Sequence, residues 1–97
     1  MEIEDWRTRI DAIDRELVAL LNKRAAAARE IGELKRQTSL PTYEPRREAQ
    51  ILQNVSEANE GPLPDAKLHY IFEHIIAVMR EFQRSEAGEN VSEGSAL

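Results

Sequence analysis

Residues 3–37, IEDWRTRIDAIDRELVALLNKRAAAAREIGELKRQ, decide the fold. The stretch has no Pro and a single Gly, Gly32, and its apolar residues recur at spacings of three and four. With Ile3 opening a heptad, one row reads Ile3, Ile10, Leu17, Arg24, Ile31 and the other Trp6, Ile13, Leu20, Ala27, Leu34, so nine of ten seam positions are apolar. That repeat predicts one long helix with a partner-facing stripe. A helix over 3–37 spans ~52 Å at 1.5 Å per residue, whereas a compact chain of about 100 residues has a radius of gyration of only ~13 Å. The simplest way to cover such a helix is a second copy lying along it.

The break follows at SLPTYEPRRE, residues 39–48, where Pro41 and Pro45 stop the first helix and Pro45 suits the first turn of the next. A second helix carries Ala49, Ile51, Leu52, Val55 and Ala58 and ends in the turn cluster NEGPLP. Asp65 is placed to cap a third, whose stripe is Leu68, Ile71, Phe72, Ile75, Ile76, Met79, Phe82 and then Gln83. No strand or internal repeat is evident. The predicted fold class is all-α, with one long and two shorter helices in a single domain over residues 1–84. The last 13 residues, SEAGENVSEGSAL, have no periodicity and are expected to be a disordered acidic tail.

Composition narrows the function. The 97 residues include no Cys, so thiolate metal sites, disulfides and a cysteine nucleophile are excluded. Charged residues make up 32%, and no run approaches the ~20 apolar residues of a membrane span. The opening MEIEDWR is acidic where a signal peptide is basic, which makes a cytoplasmic protein the expectation. Net charge is -5, of which Glu86, Glu89 and Glu93 of the tail carry three units; all 13 Lys and Arg lie within residues 1–84. A body slightly acidic overall offers no footprint for nucleic acid, but a few converging bases would suit a small anion.

Arg24 fills a seam position in a row of Ile and Leu, where an unpaired guanidinium is costly to bury. It reads either as a registry device or internal ion pair, or as a cation facing a bound anion. Lys35 lies eleven residues on, about 20° away around the helix and ~16 Å along it. Arg7 lies on nearly the same line but ~42 Å from Lys35. An antiparallel helix pair centred near residue 20 would set Arg7 of one copy opposite residue 33 of the other, so a basic site shared between chains is geometrically possible. Gln83 closes the third stripe, and Glu48 opens the second helix beside Arg46 and Arg47; the plain readings are a helix-end polar residue and a first-turn carboxylate. His69 and His74, five apart, do not share a face as a metal pair would and read as surface residues.

WRTRIDAIDRELVALLNKR, EIGELKR, LPTYEPRRE and LHYIFEHIIAVMREFQ, in this order and spacing over residues 3–84, resemble the all-helical chorismate mutase family. The resemblance implies an intertwined homodimer that rearranges chorismate to prephenate, on the route to phenylalanine and tyrosine, without metal or cofactor. It implies that Arg24, with Arg7 from the other subunit, clamps the substrate carboxylates. Lys35 would reach a carboxylate and the ether oxygen, and Gln83 would donate a second hydrogen bond to that oxygen. Glu48 would bind the ring hydroxyl, Glu44 would contribute nearby, in part through its backbone, where the family often has Asp, and Arg47 would support the same corner.

Two positions depart from the family pattern. Met79 stands where many members have a Ser that helps hold a carboxylate, and Trp6 replaces an aliphatic residue before Arg7. An isochorismate pyruvate lyase on the same fold and a non-catalytic regulatory dimer remain the alternatives. The mutase is favoured over the lyase because a carboxylate at Glu48 suits the chorismate hydroxyl, and over a structural dimer because of Arg24 in the seam.

Overall fold

A computed structural model describes residues 1–86 and Gly88. It holds α1 (Ile3–Thr38), α2 (Pro45–Ala58) and α3 (Asp65–Glu86), with no strand among the described residues. The three expected helices are present at nearly the expected bounds. The expected disorder of the tail lies outside the described residues, save that Ser85, Glu86 and Gly88 are described and α3 continues through Glu86, whose carboxylate approaches Arg29 at 3.9 Å.

Each terminus has a local cause. Glu2 and Asp5 form a reciprocal capping box at the start of α1. At its far end Ser39 adopts a left-handed conformation (φ 59°), and the Leu40 N–H returns to the Lys35 carbonyl at 2.8 Å, a Schellman-type closure. Pro41 follows and prevents the helix from resuming. Pro45 opens α2 as its first residue. Asp65 corrects the sequence reading: the Pro64 carbonyl accepts from the Leu68 N–H, so Pro64 sits in the cap position and Asp65 is the first helical residue. The Asp65 carboxylate accepts instead from the Asn59 side chain at 2.6 Å, which ties the two ends of the NEGPLP turn together.

Packing is confined to the C-terminal half of α1. Every residue from Met1 to Lys23 is exposed, while Ala28, Gly32 and Lys35 are buried against the other helices together with Ile76 and Met79. Small residues at 28 and 32 let α3 approach closely: a Cβ placed on Gly32 would stand 3.4 Å from the Gln83 Cγ. Leu21 borders the same groove as Ile75, and further along Ala28 meets Gln83, so α1 and α3 run in the same direction. α2 returns antiparallel to α3, joined by Glu48 to Arg80 at one end and by Ser56 to His69 at the other, where Ser56 Oγ and His69 Nε2 are 2.5 Å apart. His69 is therefore half-buried between two helices and not a surface residue.

The result is elongated, with extents of 53 × 34 × 21 Å and a radius of gyration of 16.5 Å. Along the projecting half of α1, Ile3, Trp6, Ile10, Ile13, Leu17 and Leu20 each remain about half exposed or more. The core is small, so each buried side chain carries a large share of it. Ile76, 7% exposed, should cost about 2–5 kcal/mol when replaced by Ala, read from the shift of the urea unfolding curve. An unchanged midpoint would mean that Ile76 does not pack in this core.

Candidate active site

Three helices and one turn converge on a cleft of about 250 Å³. α1 contributes Arg24, Ala28, Ile31 and Lys35, a set that falls on one face at helical spacing. The first turns of α2 contribute Arg47, Glu48 and Ile51, and the connecting segment contributes Thr42 and Glu44. α3 contributes Ile76, Met79, Arg80 and Gln83, again one face. Of the residues singled out in the sequence, Arg24, Lys35, Glu44, Arg47, Glu48, Met79 and Gln83 all line this cleft. Arg7 does not. It lies seventeen residues before Arg24, about 25 Å along the helix, exposed and paired with Glu4 at 2.8 Å.

The charges in the cleft fall into two groups. Lys35 is buried, and its Nζ donates to Glu44 Oε2 at 2.7 Å and to the Thr42 carbonyl at 3.1 Å. Arg80 holds Glu48 through Nε and Nη2, with contacts of 2.9–3.1 Å to both carboxylate oxygens. Arg24 and Arg47 have no carboxylate partner among the described residues. Four cations against two carboxylates leave the cleft with two surplus positive charges. Burial, and then the like charge of Arg47, push the Arg24 guanidinium below its ordinary value. Both effects penalise the charged form, and both are relieved by an anion placed between the guanidiniums.

Gln83 is oriented from the backbone: its Nε2 donates to the Ala28 carbonyl at 2.7 Å. An amide nitrogen carries two hydrogens, so one N–H remains for a ligand. The Lys35 ammonium likewise has three hydrogens and two internal acceptors. Two donors, each held by the protein and each with one unused N–H, border the same cleft as the two unpaired guanidiniums.

Arg80 was not among the residues picked from the sequence. The signal was available, because Arg80 stands four residues after Ile76 and three before Gln83, and so interrupts the α3 stripe as Arg24 interrupts that of α1. Tyr43, whose ring centroid lies 4.7 Å from the Arg80 Cζ, sits in a connecting segment where no periodicity identifies it.

An all-helical protein with a cleft carrying two cations more than its carboxylates balance is the class that this fold and site define. Residues 6–84 match the chorismate mutase type II family, and the chain belongs to it. It is 34% identical over 87 residues to the bifunctional chorismate mutase/prephenate dehydratase of Aquifex aeolicus, covering 86% of this chain and 24% of that protein. It is 43% identical over 89 residues to the T-protein of Haemophilus influenzae, covering 91% of this chain and 22% of that protein. The chain thus spans about a quarter or less of these two relatives. Among solved structures, chorismate mutase from Helicobacter pylori in complex with prephenate superposes with a TM-score of 0.82 at 33% identity, covering 90% of this chain and 94% of that one. Chorismate mutase (form II) from Thermus thermophilus gives 0.83 at 32% identity, covering 84% and 93%.

The uncompensated charge of Arg24 yields a prediction with opposite effects on stability and binding. Arg24→Met removes a guanidinium whose charged form burial and Arg47 disfavour, so the urea midpoint should stay or rise. Affinity for a small dicarboxylate, followed by calorimetry, should fall at the same time. A lower midpoint would show that Arg24 stabilises the fold.

Proposed function

We propose that this domain, residues 1–84, converts chorismate to prephenate. The observation that carries the reading is the convergence of two unpaired guanidiniums, Arg24 and Arg47, with the oriented donors Lys35 and Gln83 in one cleft. The bound prephenate of the Helicobacter pylori relative supports a dicarboxylate ligand for a site of this kind.

In this reading the substrate carboxylates take the two surplus positive charges, with Arg24 as one clamp. Holding both ends of a flexible dianion restricts it to the compact conformer in which the new C–C bond can form. As the ether C–O bond breaks, negative charge grows on the oxygen. The third Lys35 N–H and the second Gln83 N–H meet that charge from fixed positions. Accelerations begin near ~10⁶, or about 8 kcal/mol, and two preorganised donors at ~3 kcal/mol each supply most of it. Glu48 accepts from the ring hydroxyl. Glu44 pairs with Lys35, and Arg47 completes the same corner. Met79 presents an apolar wall.

The reading includes a homodimer in which the partner subunit's Arg7 completes each cleft. Three features support it: the exposed half of α1, its apolar seam, and a second groove of about 390 Å³ lined by Leu21, Tyr70, Ile71, His74, Ile75, Val78 and Met79. An isolated helix arm of this kind has no intramolecular face to bury, and a second copy supplies one with the same repeat. No helix among the described residues is long and apolar enough to cross a membrane.

Loss of chorismate absorbance on adding purified protein, with prephenate identified as the product, tests the activity. Release of pyruvate with an aromatic acid would favour a lyase instead. Light scattering should give about twice the 11.1 kDa chain mass. Arg7→Ala and Arg24→Ala proteins should each be nearly inactive, yet recover activity when mixed, because one cleft of the heterodimer keeps both arginines. Verified heterodimers without recovery would place Arg7 outside the site.

Gln83 gives a separate expectation. A carboxamide donates at every accessible pH, whereas a Glu in its place donates only when protonated, and its reference pKa is about 4.3. Gln83→Glu should therefore shift the activity optimum to acid pH, and Gln83→Ala should lower turnover by about 10²- to 10³-fold. A Gln83→Glu enzyme with the wild-type profile at pH 8 would rule out the ether-oxygen contact.

A further inference from the structure

Arg80 and Glu48 form the most extensive side-chain contact in the cleft. Arg80 Nη2 lies 2.9 Å from each Glu48 oxygen and Nε lies 3.1 Å from one of them. Both side chains are about three-quarters buried, at 27% and 23% exposed. Tyr43 covers the guanidinium from the connecting segment. The charge of this guanidinium is matched by the Glu48 carboxylate, which takes Nε and Nη2, and its face is taken by the Tyr43 ring. Its main effect in the cleft therefore passes through Glu48.

We propose that Arg80 is a positioning residue, which fixes the Glu48 carboxylate as the hydroxyl acceptor of the cleft and keeps that carboxylate away from the free cations Arg24 and Arg47. The inference rests on the chorismate mutase reading and deepens it. Each carboxylate oxygen has two lone pairs, so Glu48 bound on one side by the Arg80 fork still has acceptor capacity for a hydroxyl. Without Arg80, a carboxylate this buried has lost its partner and must find another. Arg24 and Arg47 of the same cleft are the cations without carboxylate partners, and they are also the charges that the substrate dianion requires. Removing Arg80 therefore does more than loosen the junction of α2 and α3. It converts Glu48 from a substrate ligand into a competitor of the substrate.

This consequence separates a positioning role from a structural one. A staple between helices would act on stability and leave KM unchanged, so a second change at Glu48 would move the unfolding midpoint and not KM. A displaced carboxylate, in contrast, is made harmless when its charge is removed. Steady-state kinetics with chorismate on Arg80→Met, Arg80→Lys, Glu48→Gln and the Arg80→Met/Glu48→Gln double variant decide the matter. Arg80→Met keeps the length of the side chain and removes the fork. It should raise KM by about 10- to 100-fold, with a smaller change in kcat, as expected for one stranded buried charge. Arg80→Lys retains the charge without the bidentate geometry and should fall between. The double variant should have a lower KM than Arg80→Met alone, close to that of Glu48→Gln.

Wild-type KM in Arg80→Met, or a double variant whose defects simply multiply, would overturn the proposal. Should circular dichroism show Arg80→Met unfolded, the comparison of Arg80→Lys with Arg80→Lys/Glu48→Gln carries the same test. A wild-type protein that neither consumes chorismate nor binds prephenate would overturn the activity reading, and this inference with it. An active wild type whose KM is indifferent to residue 80 would overturn this inference alone.

Discussion

An ammonium group taken out of water needs oxygen partners, and at Lys35 that requirement shapes the site. Lys35 is the one charged side chain that is buried among the described residues. Its carbonyl accepts the Leu40 N–H that reverses the chain, and its Nζ draws in the Thr42 carbonyl and the Glu44 carboxylate. The segment from Ser39 to Glu44 is thereby folded back over the end of α1. Pro45 then starts α2 at a fixed place, so Arg47 and Glu48 enter the cleft from its first turn. Between Thr42 and Glu44, Tyr43 covers Arg80, which ties the same segment to α3.

The two kinds of cation in the cleft do different work. Lys35 and Arg80 have carboxylate partners and hold the walls together. Arg24 and Arg47 do not, and the first of them is disfavoured by burial and by the second. A protein selected for stability alone would replace such a guanidinium with an apolar residue, because a seam of Ile and Leu packs better without it. Retaining it makes physical sense where an anion regularly restores the balance. The unused N–H groups of Lys35 and Gln83 follow the same pattern, since each group is oriented by the protein and left one bond short. Such donors need little reorganisation when charge appears on a ligand, and this is where electrostatic catalysis gains most.

The projecting half of α1 poses a separate problem. Its apolar side chains from Ile3 to Leu20 are exposed and pack against no other helix among the described residues, and an extended helix of this kind is poorly supported by helix propensity alone. The proposed pairing of two copies would cover this arm, which also carries Arg7. In that arrangement the active site and the stability of the fold share one interface.

The sequence by itself determined the helices and their ends. A heptad stripe, two prolines and a turn cluster are local signals, and they place all three elements within a residue or two of their observed bounds. It also exposed Arg24, because one charge in an apolar row is visible without coordinates. For Lys35, Glu44, Arg47, Glu48 and Gln83 the roles came from likeness to a family, and the residues alone gave only a few bases and acids at helix ends. Only the tertiary structure decided which charges cancel. Lys35 with Glu44 is a pairing across a turn, while Arg80 with Glu48 is a pairing across 32 positions of chain. No periodicity reports such partners, since they depend on how close small residues at Ala28 and Gly32 allow α3 to come and on the direction in which the turn after Lys35 sends α2. Helix formation is governed by neighbours three and four residues apart and can be read along the chain, whereas charge compensation is set by distance in space and exists only once the chain has folded.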